Sequence, residues 1–471
     1  MGAIVARPEV PPSIGNWLPL CYSFPIFPAA IVVRFLLSQQ GFMLPGFLSK
    51  EDLLTMALSD KRVVITGIGA ISALGHNAAT TWEGLLAGRT GAVRIEAYRE
   101  NDLPSQIACV VPDFRPEPHL SAREAKRLGR LTQLAVVAAE EAIAHARLDW
   151  RQEDPTRVGI EIGSAFGALD IVEEESYKVM TQGPRAVNAT RGPAVLITTT
   201  PCYLAIRYGI QGPVNSPVVA CASGVYSIGE AARRIRDDEA DVVLAGGTDS
   251  YLTPLLMTAF SRLGAMSTRN DTPETACRPF DATRDGMIIG EGAVVMVVES
   301  LEHAQRRGAS ILAEVGGMGF SADAYHMAAP APDGVGAARA MRMAIARSGL
   351  RPDQIDYVAA HGTATKLNDI AETLAIKQAL GEHAYNVAIS SIKPMIGHVM
   401  GAAGAFGVLT ILQAIRTGWI PPTINYTTPD PECDLDYVPN TARRREVHAG
   451  IANAFGFGGQ NASIVIKRFV P

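Results

Sequence analysis

Short apolar runs alternate with amphipathic stretches along most of the chain, beginning at Lys61. Short apolar runs predict buried strands, and apolar residues that recur at helical spacing predict helices. In the first half, the runs that predict strands cover residues 62–69, 158–163, 214–220, 240–245 and 292–299. The stretches there that predict helices cover residues 78–86, 123–146, 225–235 and 301–307, and the pattern is less regular over residues 164–193. Strands that alternate with helices in this way predict parallel sheets covered by helices.

The second half of the chain repeats this alternation. Its predicted strands cover residues 311–315, 355–360, 387–392, 451–454 and 462–467, and its predicted helices cover residues 336–348, 369–380 and 400–415. Both halves carry their polar signatures just after predicted strands, and the carboxyl edge of a parallel sheet is where ligands bind. The pattern therefore predicts an α/β protein whose ligand site lies at that edge.

Residues 1–58 differ from the rest of the chain. They contain clustered prolines and an apolar run over residues 17–37, which is interrupted by three prolines and by Arg34. A membrane span needs roughly 20 apolar residues, so the run is long enough, but the prolines and the arginine argue against a stable span. We interpret residues 1–58 as an N-terminal extension that is not native or is disordered, with Met56 as the start favoured. Membrane association or organelle targeting is the alternative, and the expected location is cytoplasmic.

Composition limits the classes of function. The chain has 471 residues, of which 48% are hydrophobic and 19% charged, so a large core can form. A net charge of −5 with no basic tail gives no reason to expect nucleic acid as a partner. Six cysteines without a close-spaced pair fit a reduced compartment.

Cys221 is the first candidate for chemistry. It lies between a predicted strand and a predicted helix, with small neighbours over residues 222–224. Unpaired N–H groups and the positive end of the helix dipole favour a thiolate at such a position. A small buried core residue is the alternative, and it is the commonest fate of a free cysteine.

Two histidines share the placement of Cys221. His361 and His398 each follow a predicted strand and precede a predicted helix. With Cys221 they form a possible zinc ligand set, although no two of them are close in sequence, and we predict no metal. A cysteine with two histidines can serve in a hydrolase or in an acyl transferase, although a cysteine protease needs one histidine and an orienting Asn or Asp. Together with Lys393, the two histidines suit the stabilisation of an enolate that develops on a thioester carbonyl.

A cluster of basic residues lies at the start of the predicted helix 123–146. Its members are Arg123, Lys126, Arg127 and Arg130. Such a cluster is either an ordinary solvated face or a surface that attracts an acidic partner.

Several ordered motifs resemble one family, the β-ketoacyl-acyl-carrier-protein synthases of the elongating type II kind. These motifs are VACASG around Cys221, RPFDATRDG with GEGA over 278–293, HGTAT over 361–365, SSIKPMIGH with GAAGA over 390–405, and NAFGFGGQN over 453–461. The resemblance covers Met56 to Pro471. It implies a thiolase-like fold, in which two similar βαβαβαββ halves form five αβαβα layers. It also implies a homodimer, and it places the nucleophilic cysteine in residues 59–310 and both histidines in residues 311–471.

The resemblance implies a role for each matching residue. Cys221 would take the acyl chain as a thioester, and the backbone N–H groups of Cys221 and Phe457 would form the oxyanion hole. His361 and His398 would bind the malonyl thioester carbonyl and promote decarboxylation, with Lys393 as electrostatic support.

Other implied roles concern the partner and its prosthetic arm. Thr363 and Thr365 would contact a phosphopantetheine arm that arrives on the acyl carrier protein, so no tightly bound cofactor is expected. The basic cluster at Arg123 would receive that carrier, and Phe457 would act as a gate beside the cysteine.

The chain also departs from the family pattern. Gly407 stands where a glutamate often pairs with the lysine, so Lys393 needs another partner. Phe166 lines the implied acyl pocket and is larger than the common isoleucine, which predicts a shorter tolerated chain. Phe260 is a second implied pocket residue, with ordinary core packing as the alternative. Arg191 stands where a tunnel phenylalanine from the partner subunit is common.

Three alternatives to fatty acid elongation remain open. The nearest is the ketosynthase subunit of a type II polyketide system, which the stretch 361–369 also resembles. A non-catalytic carrier-binding subunit would not need both histidines. A degradative thiolase usually has a second cysteine near the C-terminus, where this chain has Gln460.

Overall fold

Ten strands form one mixed sheet in the computed structural model, which describes residues 61–100 and 102–471. The N-terminal extension 1–58 and the apolar run within it lie outside the described residues. The strands are β1 Val63–Ile71, β2 Val158–Gly163, β3 Val214–Asn215, β4 Val242–Asp249, β5 Gly292–Ser300, β6 Ala313–Ala322, β7 Tyr357–Ala359, β8 Ala388–Ser390, β9 Ala449–Gly456 and β10 Gln460–Lys467. Their order across the sheet is β3-β2-β4-β5-β1-β6-β10-β9-β7-β8.

The two halves of this sheet have the same topology. In the first half the order is β3-β2-β4-β5-β1, and in the second half the corresponding strands follow as β8-β7-β9-β10-β6. The halves meet where β1 pairs with β6, at Val64 with Glu314 and Ile65 with Ala313. The proposed boundary between the halves, at residues 310 and 311, lies between β5 and β6. The predicted pair of similar α/β halves is confirmed.

The sheet contains the predicted parallel strands and antiparallel strands as well. Strands β3, β2 and β4 are parallel, as are β8, β7 and β9. Strands β5 and β10 run antiparallel to their neighbours on both sides. A strand that runs antiparallel to its neighbours follows a connection that reverses the direction of the chain. The alternation of strands and helices does not reveal where such a connection occurs.

Helices cover both faces of the sheet halves. Their bounds are α1 Ala78–Leu86, α2 Glu96–Glu100, α3 Ala122–Ala125, α4 Arg130–Ala146, α5 Leu169–Gln182, α6 Thr199–Tyr208, α7 Ser223–Arg236, α8 Pro254–Arg262, α9 Pro273–Ala276, α10 Leu301–Arg306, α11 Val335–Arg347, α12 Lys366–Leu380, α13 Lys393–Ile396 and α14 Ala403–Thr417. Helices α7 and α14 pack between the two sheet halves, α4 covers the outer face of the first half, and α11 and α12 cover that of the second. The layers therefore follow the predicted αβαβα order.

Small residues let the two central helices approach closely. A Cβ on Gly224 of α7 would lie 2.8 Å from the carbonyl oxygen of Gly401 and 3.0 Å from Cβ of Ala405. A Cβ on Gly404 of α14 would lie 2.5 Å from Val225. The glycines therefore set the distance between α7, which follows Cys221, and α14, which follows His398. The segment Met400–Thr417 is apolar and long enough to cross a membrane, and most of it is buried in this central layer.

Three local predictions are wrong. The predicted strand 214–220 pairs only at Val214–Asn215, and the rest is a loop with Val218 exposed to solvent. The predicted helix 123–146 is broken into α3 and α4, because Gly129 has an extended backbone and caps α4. Residues 169–182 form a regular helix, α5, in which Ile171 is the buried residue. Its exposed apolar side chains make the helical spacing of apolar residues irregular, so the sequence does not predict this helix.

Candidate active site

Cys221 lies in a tight loop just before α7. Ala220 has a φ of +48°, a backbone conformation that residues other than glycine rarely adopt. The Oγ of Ser223 holds this loop, because it accepts a hydrogen bond from the N–H of Val219 at 2.9 Å and donates one to the carbonyl of Ala220 at 2.7 Å. The strained turn places the Cys221 thiol at the start of the helix, as predicted, and buries it.

The glycine-rich turn after β9 approaches the same loop. A Cβ on Gly456 would lie 2.9 Å from the carbonyl oxygen of Val219 and 3.2 Å from the N atom of Cys221, so only glycine fits there. The turn brings the backbone N–H of Phe457 to the Cys221 sulfur, beside the N–H of Cys221 itself. Two N–H groups at one sulfur form the kind of donor pair that binds an oxyanion.

Burial controls the ionisation of the thiol. Burial raises the pKa of Cys221 to about 11, while the positive charge of Lys393 and the two N–H groups act in the opposite direction. The sequence argument expected the helix start to favour the thiolate. In the folded protein the loss of solvent outweighs it, so the resting group is a thiol at neutral pH.

The two histidines lie directly beside the thiol. One ligand atom each from Cys221, His361 and His398 lie within 4.8 Å of one another. The imidazole rings are nearly perpendicular, with centroids 5.3 Å apart. Burial first, and then the charge of Lys393, hold the pKa of both histidines well below the usual value. Both rings are therefore neutral at physiological pH, and each offers an N–H that can donate to a carbonyl oxygen.

Lys393 has found a partner other than residue 407. Its Nζ donates a hydrogen bond to the carbonyl oxygen of His361. Burial lowers the pKa of Lys393, and the negative charge of Glu372 is the strongest influence in the opposite direction. Gly407 lines a small cavity together with Lys393, Tyr357 and Ser390. The partners of Lys393 are therefore the carbonyl oxygen of His361 and the carboxylate of Glu372, which both belong to the segment that carries His361.

Glu372 is the functional residue that sequence reasoning missed. Its side chain lies on α12, is buried, and accepts hydrogen bonds from the backbone N–H groups of His361 at 2.8 Å and Gly362 at 2.7 Å. Burial raises the pKa of Glu372. The available signal was a glutamate on the inward face of a predicted helix, 11 residues after a candidate histidine. A buried glutamate of that kind requires partners.

The predicted threonines line the cavity above the thiol. Thr363 and Thr365 share a hydrogen bond of 2.9 Å between their hydroxyl oxygens. Both line the same cavity as Cys221 and the two histidines, and Thr365 also lines the wider groove that continues outward past Lys366. This groove gives an extended arm a route from the surface to the thiol.

The predicted pocket residues lie on another side of the site. The ring centroid of Phe166 lies 6.4 Å from that of Phe260, and Phe260 lies 5.8 Å from Phe457. Phe260 is buried and packs in one apolar cluster with Cys221. Phe166 is 40% exposed, at the edge of that cluster. Phe260 therefore shares an apolar cluster with the nucleophile, and Phe166 lies against Phe260.

The remaining candidates lie outside the cavity. Arg191 forms ion pairs with Glu174 at 2.6 Å and Glu175 at 3.1 Å, so its charge is neutralised within its own subunit. Arg130 differs from the rest of the basic cluster, because its guanidinium binds the buried carboxylate of Glu291 through two hydrogen bonds of 2.6 Å. The other three residues, Arg123, Lys126 and Arg127, are exposed.

The cysteine and the two histidines also have the spacing of a metal site, but their surroundings do not suit a cation. The ammonium group of Lys393 acts on all three side chains. Metal-binding imidazoles usually donate their second N–H to an acceptor. Within the part of the chain that the structure describes, the Nδ1 atoms of His361 and His398 are buried without a hydrogen-bond partner. The donor set therefore fits an anionic intermediate better than a metal ion.

The fold and the site together define a condensing enzyme of the thiolase-like class, with a thiol nucleophile and two neutral histidines. The profile of "Beta-ketoacyl synthase, N-terminal domain" matches residues 60–304, and that of "Beta-ketoacyl synthase, C-terminal domain" matches residues 312–427. The chain belongs to the beta-ketoacyl synthase family, whose members are acyltransferases.

Individual relatives agree with this assignment. The chain is 42% identical over 411 residues to the 3-oxoacyl-[acyl-carrier-protein] synthase 2 of Coxiella burnetii, covering 87% of this chain and 99% of that protein. It is 41% identical over 412 residues to the enzyme of the same name from Synechocystis, covering 88% and 99%. Among solved structures, a beta-ketoacyl synthase from Burkholderia phymatum superimposes with a TM-score of 0.81 at 34% identity, covering 87% of this chain and 100% of that one.

Polyketide enzymes are similar in structure as well. A type II polyketide ketosynthase, solved with its acyl-carrier protein and bound to the hexaketide, superimposes with a TM-score of 0.82 at 33% identity. The ishigamide ketosynthase/chain length factor gives a TM-score of 0.82 at 35% identity. Each comparison covers 87% of this chain and 100% of the other.

Proposed function

We propose that the protein is a β-ketoacyl-acyl-carrier-protein synthase that elongates fatty acyl chains by decarboxylative Claisen condensation. The observation that carries this proposal is a buried thiol within 4.8 Å of two histidines that are both held neutral. Neutral imidazoles donate hydrogen bonds to a thioester carbonyl without protonating the enolate that forms on it.

The first half-reaction loads Cys221. The Cys221 thiol gives up its proton as its sulfur attacks the carbonyl of the acyl thioester. The bond between Cys221 sulfur and the acyl carbon forms, and the bond to the pantetheine sulfur breaks. The departing pantetheine thiolate takes up the proton that Cys221 lost. The N–H groups of Cys221 and Phe457 hold the oxyanion of the tetrahedral intermediate.

The second half-reaction forms the carbon–carbon bond. The malonyl thioester loses CO2, and the electron pair of the broken bond becomes an enolate held by N–H groups of His361 and His398. The enolate carbon attacks the acyl carbonyl on Cys221. When the resulting intermediate collapses, the Cys221 thiolate leaves and a β-ketoacyl thioester is released.

The partner that we propose is an acyl carrier protein, which delivers both acyl groups on a phosphopantetheine arm along the groove past Thr365. Three exposed basic residues, Arg123, Lys126 and Arg127, supply charge that suits an acidic carrier.

A homodimer and a cytoplasmic location complete the proposal, with no tightly bound cofactor needed for any step. The apolar side chains exposed along α5 and α6 suit burial against a second subunit.

Intact-protein mass spectrometry with acyl-carrier and malonyl-carrier substrates tests the proposal. We expect an acyl adduct on Cys221 and release of a β-ketoacyl product. We expect Cys221→Ala to retain decarboxylation of the malonyl thioester, and His361→Ala to lose it. A wild-type protein that forms no adduct and no product would overturn the proposal.

The ketosynthase subunit of a type II polyketide system is a second candidate. The observation in its favour is the TM-score of 0.82 against a type II polyketide ketosynthase and against a ketosynthase/chain length factor. The same assay separates the candidates. A fatty acid enzyme releases the product after one condensation, whereas an iterative polyketide enzyme extends an unreduced β-ketoacyl chain repeatedly on its own or with a second subunit.

A further inference from the structure

Cys221 has two different surroundings. It lines the cavity that also contains His361, His398 and Thr363. It also packs in an apolar cluster, whose members Ala265, Met287, Met400 and Phe457 line the same cavity. The cluster continues away from the cavity to Tyr251, Met257 and Phe260, which do not line it.

The chemistry of condensation assigns one surrounding to each substrate. When the carbon–carbon bond forms, the extender thioester and the acyl group on Cys221 are present together. If the extender thioester lies beside the histidines, as the proposed function requires, the acyl chain has to enter the apolar cluster. The side chains of that cluster therefore determine how long an acyl chain can be.

Tyr251 is the member of the cluster that is least able to move. It is fully buried, and its hydroxyl contacts the carboxylate of Asp249, the Oγ of Ser164 at 2.8 Å and the N–H of Phe166 at 2.6 Å. Displacing the ring would break these hydrogen bonds and leave buried polar groups unpaired, which is costly.

The carboxylate that holds Tyr251 is itself fixed. Asp249 is buried and accepts hydrogen bonds from the Oγ of Ser164 at 2.6 Å and from the backbone N–H groups of Ala165 and Gly401. These donors come from the loop after β2 and from the turn that precedes α14. The position of Tyr251 is therefore set by two other segments around the nucleophile.

The neighbouring side chains can yield more easily. Met257 is unbranched and adapts its shape readily. The ring of Phe166 meets Tyr251 edge-on at a centroid distance of 5.2 Å, and 40% of the residue is exposed, so fewer atoms of this chain hold its ring than hold that of Tyr251. Phe166, which the family resemblance places in the acyl pocket, is thus by itself an incomplete barrier to a long acyl chain.

We propose that Tyr251 closes the acyl pocket and restricts Cys221 to short acyl groups, with Asp249 as the residue that positions it. This inference rests on the proposed function and names the substrate class within it.

The test measures acylation of Cys221 by intact-protein mass spectrometry, using butyryl-, octanoyl- and decanoyl-pantetheine as soluble donors. The quantity of interest is the ratio of butyryl to decanoyl rates within each variant, which cancels a general loss of reactivity. We expect the wild type to react at least about tenfold faster with the butyryl donor, because excess methylenes in a closed apolar pocket cost about that much or more. We expect Tyr251→Ala to bring the two rates to within about threefold of each other.

Two further variants keep the test decisive. Tyr251→Phe retains the ring but frees it from Asp249, so we expect a ratio between those of wild type and Tyr251→Ala. Met257→Leu conserves volume and should leave the ratio unchanged. A wild-type ratio near one, or a ratio unchanged in both Tyr251 variants, would overturn the inference while leaving the proposed function intact. Absence of an adduct with every donor would instead count against the proposed function.

Discussion

Glu372 accepts a hydrogen bond from the backbone N–H of His361, with 2.8 Å between Oε1 and the nitrogen. The same carboxylate accepts a second bond from Gly362 and lies near Lys393, whose Nζ in turn binds the carbonyl oxygen of His361. One histidine loop is thus held at its N–H by a helix carboxylate and at its carbonyl by a buried lysine. This arrangement replaces the lysine–glutamate contact that Gly407 cannot make.

The first prediction concerns this carboxylate. We expect Glu372→Gln to lower the free energy of unfolding by about 1–3 kcal/mol, because the amide cannot satisfy both buried N–H groups and leaves Lys393 with less compensating charge. Chemical denaturation measures the change. Glu382→Gln, at an exposed site near the end of α12, is the matched control and should change stability by less than about 0.5 kcal/mol. Equal losses in the two variants would contradict the assigned contacts.

The second prediction separates the pH dependence of the thiol from that of the histidines. Since the pKa of Cys221 is raised to about 11, its alkylation by iodoacetamide should accelerate about tenfold per pH unit between about pH 7 and pH 10. Decarboxylation of malonyl thioester should show no inflection near pH 6.5, because the pKa values of His361 and His398 lie well below that. Alkylation is best followed in a Cys202→Ala background, which removes an exposed thiol. A plateau in alkylation below pH 8 would show that the thiol is already ionised.

The third prediction concerns the contact between the central helices. We expect Gly224→Ala to destabilise the protein by about 1–3 kcal/mol and to reduce acylation of Cys221, because the added methyl group would meet the backbone of Gly401 at 2.8 Å. Gly192→Ala is the control, since a Cβ there has no neighbour within 4 Å among the described residues. Thermal unfolding of both variants measures the difference. If the two variants unfold at the same temperature, the helices do not pack as described.

The fourth prediction concerns a buried ionic cluster remote from the thiol. Burial alone would lower the pKa of His303, but hydrogen bonds to Glu153 and Glu299 outweigh it and raise the pKa to about 9. A pKa above the unfolded value of about 6.5 adds stability that is fully present below pH 6.5 and is lost as pH rises through about 9. The full shift corresponds to about 3 kcal/mol. Because solvent screens part of the interaction, we expect the free energy of unfolding to fall by about 2 kcal/mol over that interval. In His303→Gln this part of the fall should disappear, and an identical pH dependence in both proteins would contradict it.

The fifth prediction concerns the basic surface. Charge reversal at Arg123 and Lys126 should raise the KM for acyl carrier protein about tenfold at low salt, with little change at high salt, because the attraction between exposed charges is screened. Arg306→Glu on α10 is the control for a general change in charge, and its KM should stay within about twofold. Reaction with pantetheine thioesters, which lack the carrier, should be unaffected in all three variants. A salt-independent effect would argue against electrostatic docking.

Local sequence was sufficient for much of the fold. Alternating apolar runs and amphipathic stretches predicted most strands and helices, since periodicity is encoded within each element. It failed at residues 214–220, where β-branched residues line a loop that the nucleophile requires. It also failed at α5, where apolar residues stay exposed on the subunit surface. In both places the residues are chosen for tertiary contacts or for a strained backbone, and the pattern within a single element does not reveal either.

The candidate site divides in a similar way. The sequence by itself determined the chemistry of the site: the positions of Cys221, His361 and His398 after predicted strands, and the family that its motifs resemble. Only the tertiary structure decided how these groups act on one another. The approach of ligand atoms from the two halves to within 4.8 Å of one another depends on how β1 meets β6 and how α7 packs on α14. The role of Glu372 and the fixed position of Tyr251 depend on the same packing. Ionisation depends on the same packing, because the pKa of a group is set by the solvent and charges that distant segments bring to it or remove.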